Sequence, residues 1–224
     1  IRSLILSDFS APYLQARLDL KLGRFQYQNI FGQMTNRQAE SVLYSQETNK
    51  PKYMALHHLN VNVSPTLNIG LFESVMFGNR KIGFDPNYLN PVIFYRFVEG
   101  YLGSSDNAVV GLDFRWNVRK TASLYGQFIL DEFNKEEFKN TKWWARKYGW
   151  QLGAKYLDAF GISGLDLQYE YNRVRPYTYS HFSTYSNFVN YNLPVAHPLG
   201  ANFTENIAVV RYQPTQKLSF KLIG

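Results

Sequence analysis

The chain reads as all-β, a segment of an antiparallel transmembrane β-barrel. Three observations predict this class: connections that alternate long and short, strand-like segments that alternate apolar and polar residues, and an aromatic content of 17%. Nine segments read as strands, at about 13–31, 52–64, 66–78, 108–118, 121–131, 148–158, 162–174, 205–213 and 217–223. The long stretches lie at about 32–51, 79–107, 132–147 and 176–204. The short connections between them are Ser64-Pro65-Thr66, Arg119-Lys120, Ala159-Phe160-Gly161 and Pro214-Thr215-Gln216. A soluble sandwich has no reason to gather its long loops at one end. A bacterial outer-membrane barrel does, with short turns facing the periplasm and long loops facing outward.

Each segment carries the pattern of a strand with two unlike faces. In 13–22, Leu14, Ala16, Leu18, Leu20 and Leu22 share one face and Gln15, Arg17, Asp19 and Lys21 the other. Leu59, Val61 and Val63 oppose His58, Asn60 and Asn62; Val110, Leu112, Phe114 and Trp116 oppose Asp113, Arg115 and Asn117. Trp150, Leu152 and Ala154 oppose Gln151 and Lys155, and Leu165, Leu167, Tyr169 and Tyr171 oppose Asp166, Gln168, Glu170 and Asn172. Period-two alternation marks a half-buried strand in a sandwich or a barrel alike. Length separates them. Many segments run for about 10–13 residues, near the ~9–11 of a tilted membrane-crossing strand and well above the usual ~5–6. The predicted lumen residues are Arg17, Asp19, Lys21, Asn60, Asp113, Arg115, Gln127, Asp166 and Glu170, a mixture of both charge signs that suits a hydrated or ion-paired interior.

Composition points the same way. Seventeen Tyr and 17 Phe in 224 residues suit interfacial aromatic girdles. A mean hydropathy of −0.32 does not oppose a barrel, because lipid-facing and lumen-facing residues cancel in the average. No run of about 18 apolar residues offers a transmembrane helix. With no cysteine, disulfides and thiolate chemistry are excluded. An opening Ile1, a final Lys221-Leu222-Ile223-Gly224 inside a strand and an odd strand count lead to the expectation of one barrel segment over 1–224, truncated at both ends.

Two long loops read as partly helical. Asn90 caps, Pro91 takes the first helical position and Gly103 ends the helix. Phe94, Phe97, Val98, Tyr101 and Leu102 then form one apolar stripe, packed on the barrel's own mouth or wall, or else on a partner or gate. Asn134 with Glu137 opens a short basic helix toward Trp143-Trp144.

Nothing in the chain reads as an enzyme. There is no glycine-rich phosphate loop and no His-Glu-x-x-His motif. Gly161-Ile162-Ser163-Gly164 is one residue short of a nucleophile elbow. His57 and His58 point to opposite faces of a strand, and His181 and His197 stand apart in a loop, so no metal or other cofactor is expected. The net charge of +7 gathers in the long loops instead: Lys135, Lys139, Lys142, Arg146 and Lys147 surround Trp143 and Trp144, and Arg173 and Arg175 lead into Tyr177, Tyr179, His181 and Tyr185. Such residues serve as ordinary interfacial anchors beside lipid phosphates. They also suit acidic polysaccharide, cations meeting carboxylates and aromatic faces lying on sugar rings. Stacking of this kind binds single-stranded nucleic acid elsewhere, but no nucleic-acid partner is expected at a cell surface.

A family resemblance covers nearly the whole chain. Arg2-Ser3-Leu4-Ile5-Leu6-Ser7-Asp8, Pro12-Tyr13-Leu14-Gln15 and Tyr27-Gln28-Asn29 open an ordered series of segments. Leu67 to Glu73, Tyr88 to Arg96, Ser105 to Ala108, Leu112-Asp113-Phe114, Tyr125-Gly126-Gln127, Leu130 to Phe133, Arg175-Pro176 and His197 to Gly200 continue it. Together they resemble the outer-membrane barrels of the capsule-assembly Wzi family, most closely its Bacteroidota branch, whose relatives include RemB-type gliding-motility proteins. The resemblance implies a barrel of roughly eighteen strands, an even count as single-chain barrels require, of which this chain covers a part. It also implies a non-enzymatic outer-membrane protein that holds capsular polysaccharide. The expected glycan-contact residues are Trp143, Trp144, Arg146, Lys147, Arg175, Tyr177, Tyr179 and His181. Expected partners are outer-membrane lipid, acidic surface polysaccharide and other outer-membrane proteins. A scaffold subunit of a gliding or secretion assembly and a diffusion porin are the alternatives.

Overall fold

The computed structural model describes residues 2–39, 47–80, 83–90, 106–131 and 146–224. The strands are β1 (Leu14–Leu22), β2 (Phe25–Ala39), β3 (Glu47–Asn62), β4 (Leu67–Gly78), β5 (Asn107–Asn117), β6 (Ala122–Asp131), β7 (Lys147–Tyr156), β8 (Leu165–Val174), β9 (Val189–Asn190), β10 (Leu193–Pro194), β11 (Phe203–Thr215) and β12 (Leu218–Ile223). Ten of them form one antiparallel sheet in the order β1-β2-β3-β4-β5-β6-β7-β8-β11-β12, and β9 pairs with β10 alone. The sheet is open, with β1 and β12 at its edges. From β4 onward longer and shorter connections alternate.

Two expectations are corrected. The segment 13–31 is not one strand but a hairpin, turned at Gly23, whose φ of +57° is a left-handed conformation that glycine adopts without a steric penalty. The sheet therefore has ten strands, not nine. Nor is 32–51 a long loop: β2 runs on to Ala39 and β3 starts at Glu47, pairing from Gly32↔Met54 to Ala39↔Glu47. Pro51 sits beyond the last β3–β4 pair, Lys52↔Gly78, where β3 has only β2 beside it. A sheet edge is where proline's missing N–H is tolerated. The expected helices at 90–103 and 134–144, with Phe94, Phe97, Val98, Tyr101 and Leu102, lie outside the described residues. Just before them, Pro86–Leu89 makes a single 3₁₀ turn, capped by the Asp85 carboxylate accepting from the Asn87 N–H at 3.1 Å.

Register decides what each face carries, because residues paired across antiparallel strands lie on the same side. One row reads Lys21↔Gln26↔Asn60↔Gly70↔Asp113↔Gln127↔Gln151↔Asn172↔Glu205, polar but for one glycine. The adjoining row on the opposite side reads Leu20↔Tyr27↔Leu59↔Leu71↔Leu112↔Phe128↔Trp150. Every residue assigned to the lumen from sequence falls on the polar side, here called the inner face. His58 is inner and His57 outer, as their adjacency requires.

The inner face is concave. Residues 2–13 and the 175–202 loop lie against it and bury Leu4, Met34, Met54, Met76, Val109, Ile129, Phe188 and Val195 in one cluster. Asn190 binds the Thr35 N–H on β2, while His197 reaches Glu205 on β11. Asn190 sits opposite Leu193, so His197 lies within roughly 20 Å of it along the chain. Strands β2 and β11 would be roughly 34 Å apart if the sheet were flat. The sheet therefore curls around the loop.

The outer face bears no second sheet among the described residues. Leu18, Leu112, Trp116, Leu152, Tyr169, Phe220 and Leu222 are exposed on it. Among the described residues it is covered near the long loops of β2–β5, where Phe84 and Tyr88 pack on Phe31, Tyr53, Ala55, Val75, Phe77 and Ala108. The Tyr88 hydroxyl donates to Asp106 at 2.6 Å.

Close packing across strands is testable at Gly111. A Cβ there would run into the Phe128 carbonyl oxygen and the Phe72 ring. Gly111→Ala should destabilise the fold by about 1–3 kcal/mol, seen as a lowered midpoint of thermal unfolding. An unchanged midpoint would show that these strands can part without penalty.

Candidate functional site

The concave face holds a plug made of the chain's own N-terminal strap and its 175–202 loop. Polar residues from four strands receive the strap. The Leu4 N–H donates to Gln127 Oε1 at 2.7 Å, and its carbonyl accepts from the Tyr179 hydroxyl at 2.6 Å. Gln151 donates to the Arg2 carbonyl. The Arg2 N–H donates to Glu170 Oε1 at 3.3 Å, and its guanidinium pairs with Glu205 at 2.6 Å. Glu170 also accepts from the Tyr125 hydroxyl at 2.7 Å and from Asn172 at 3.0 Å. An acceptor buried this deeply is costly to leave unpaired, so the network selects one seating of the strap.

The loop is anchored in the same way. Asp131 accepts from the Tyr179 N–H at 2.5 Å, and Lys52 donates to the Asn187 carbonyl at 2.6 Å. Asn190 donates to the Ala11 carbonyl at 2.7 Å, tying loop to strap. The Ser7 N–H donates to the Val195 carbonyl at 2.9 Å. Tyr191 and Asn192 turn the β9–β10 hairpin with φ of 51° and 62°, the left-handed pair that a two-residue turn requires.

Burial sets the ionisation of the plug. Burial, and then the Asp131 carboxylate, push the Tyr179 phenol well above its ordinary value, so it remains the donor to Leu4. Burial also raises the Tyr13 phenol. His197 is fully buried, 3.1 Å from Glu205 and stacked on Phe203 at 4.4 Å. Burial lowers its pKa despite the opposing pull of Glu205.

The predicted lumen residues divide into a dry and a wet group. Gln127 and Glu170 belong to the strap's seat. Arg17 and Asp19 pair with each other at 2.6 Å in solvent, and Asp113 meets His58 at 2.7 Å. Lys21, Asn60, Arg115 and Asp166 lie on the same face clear of the plug's hydrogen bonds.

The residues expected to contact glycan fare unequally. Trp143 and Trp144 lie outside the described residues. Arg146 is half-buried at the foot of β7. Lys147, Arg175, Tyr177 and His181 gather at the long-loop rim: Lys147 donates to the Ser180 carbonyl at 2.7 Å, and the Arg175 guanidinium lies 5.4 Å from the centre of the Tyr148 ring. Tyr177 is 56% exposed and held at φ 65°. Tyr179 is corrected: it is buried in the plug, its ring 5.9 Å from Phe188, and presents nothing to the surface. Two exposed aromatics went unread. Phe182, 85% exposed, has its ring 4.1 Å from that of His181. Tyr191 stands exposed above β2, its N–H bonded to the Thr35 carbonyl. Their signal is the aromatic density of 177–191, which does not tell an exposed ring from an enclosed one.

No group of three or more His, Asp or Glu side chains is placed to hold a metal ion among the described residues. What the fold and site define is an all-β protein with many exposed apolar side chains on its outer face, a concave face of mixed polar and apolar residues filled by its own loops, and an aromatic and basic rim. The sequence model of a family described as capsule assembly protein Wzi matches residues 4–223, and the chain belongs to that family. No curated protein and no solved structure matches it.

Tyr179→Phe keeps the ring but leaves the Leu4 carbonyl without its donor. It should cost about 1 kcal/mol, read as a lower melting temperature and faster proteolysis of the N-terminal strap. His197 supplies a pH dependence of known sign. Its folded pKa is depressed below the ordinary 6.5, so its contribution to stability is intact above that value and is lost as pH falls through it toward the folded value. Protection factors against hydrogen exchange around 195–200, corrected for the intrinsic pH dependence of exchange, should therefore fall as pH drops below the ordinary imidazole value. His197→Gln should flatten that response.

Proposed function

We propose that this sheet is a sector of an outer-membrane β-barrel wall and that its long-loop rim holds acidic capsular polysaccharide by binding, without turnover. The observation that carries the reading is the register. From β1 to β7 it lines up an apolar row, Leu20 to Trp150, on one face and a polar row on the other, and the loop that forms the rim also fills the concave side. An exposed apolar surface that spans strand after strand calls for an apolar partner, and membership of a capsule-assembly family supports the outer membrane as that partner.

At the rim, Arg175 and Lys147 supply cations, and Tyr177, Phe182 and Tyr191 supply exposed ring faces. Each contact with a sugar carboxylate or ring is weak. Repetition along a polymer converts such contacts into avidity, which needs no deep pocket. The left-handed φ of Tyr177 and Tyr191 is an uncommon state for a bulky residue, sustained here by the packed loop beneath. The plug opposes a porin reading, since the strap and loop together occupy the concavity.

Two measurements test this. Leu112→Arg replaces a side chain that is already 46% exposed. In water the change would be close to neutral, whereas at a lipid-facing position near the bilayer midplane it should cost about 2–4 kcal/mol. Unfolding in lipid vesicles reads the difference, and a neutral result would remove the membrane wall. Arg175→Ala with Tyr177→Ala, in cells that keep a folded and correctly inserted protein, should release capsule into the medium. Unchanged cell-bound capsule would remove the rim from the mechanism.

A further inference from the structure

At the short-turn end, opposite the rim, the β5–β6 turn carries an unusual concentration of positive charge. A pocket of about 570 Å³ is bordered by Arg115, Arg119, Lys120 and Lys155, and no carboxylate lines it. Arg115, Arg119 and Lys120 make no ion pair among the described residues, and Lys155 only approaches the Tyr125 ring at 5.8 Å. Such a site favours an anion strongly over a neutral group.

Val118 and Ala122 border this pocket and also a second, apolar groove of about 530 Å³ on the outer face of β6, β7, β8 and β11. The groove has a sequence cause. Ala122, Ala154 and Ala208 are short side chains on the outer face of β6, β7 and β11, set between the bulk of Leu124, Tyr156 and Tyr169. Both spaces fall within the ~300–1,000 Å³ typical of small-molecule sites. Joined, they offer a cationic head site at the turn and an apolar channel running away from it along the wall.

We infer that the β5–β6 turn and the adjoining groove bind an anionic phospholipid, its phosphate between Arg119 and Lys120 and one acyl chain along Ala154 and Ala208. The charge of the pocket selects the occupant: a zwitterionic lipid gains little from cations with no acid beside them, and a soluble anion would leave the groove unfilled. The inference rests on the membrane placement proposed above. There the site would lie at the leaflet facing the short turns, and would fix the depth of the wall from the end opposite the glycan rim.

The test is native mass spectrometry of the full chain in detergent, titrated with phosphatidylglycerol or with phosphatidylcholine of the same chains. Wild type should retain phosphatidylglycerol with roughly tenfold preference, in line with the attraction of surface cations for anionic lipid. Arg119→Gln with Lys120→Gln should abolish the preference and leave phosphatidylcholine binding as it was. Ala154→Trp, which fills the groove, should weaken both lipids. Equal retention of the two lipids by wild type, or a preference that survives the double substitution, would overturn the inference. So would a wild-type dimer that Ala154→Trp dissociates without loss of lipid, which would assign the groove to a second copy of the chain. Partition between detergent and aqueous phases separates the two levels. Protein that enters the detergent phase yet shows no preference defeats the lipid site alone; protein that stays in water defeats the membrane wall beneath it.

Discussion

The structure depends on an antiparallel ladder that holds its register across nine consecutive strands. A slip of one residue at any pairing would turn that strand's polar side outward and its apolar side inward. The pairs that prevent this are specific. Asp113 lies between Gly70 and Gln127, and a side chain at position 70 would collide with both the Asp113 carboxylate and the His58 ring. With the register set, the two faces, the curl and the seat for the plug follow from alternation alone.

Buried polar side chains stand among the apolar ones on the concave face, and the plug explains why. Its own backbone brings N–H and carbonyl groups into a space closed to water, and each must meet a partner. Gln127, Gln151, Glu170, Asp131 and Lys52 supply those partners from the wall. Apolar contacts through Leu4, Met54, Phe188 and Val195 add the bulk of the stabilisation, at about 1.5–3 kcal/mol for each large side chain fully buried. The hydrogen bonds choose among the positions that such packing would allow.

Most of this wall was legible in the sequence because alternation is a local signal. One of its two failures had a local cause too. Leucines at even positions from 14 to 22 give way to Phe25, Tyr27 and Phe31 at odd positions, and that change of phase at Gly23-Arg24 marks the hairpin. The upper reaches of β2 and β3 were hidden for another reason. Met34, Asn36 and Lys52 face a plug, so polarity no longer reports the face. The rim was legible as a composition but not as a surface. Tyr177 and Tyr179 differ by one alternation in a loop, and only the packing of Phe188 and Leu4 decides that one is shown and the other enclosed.

The bond between Arg2 and Glu205 joins residues 203 positions apart. Closing so distant a contact takes chain entropy that near neighbours never spend. Residues 2–13 can settle on β6, β7 and β8, but Arg2 must wait for β11 before its guanidinium finds Glu205. Maturation should run wall first, and the stopper should lock last, at that bond.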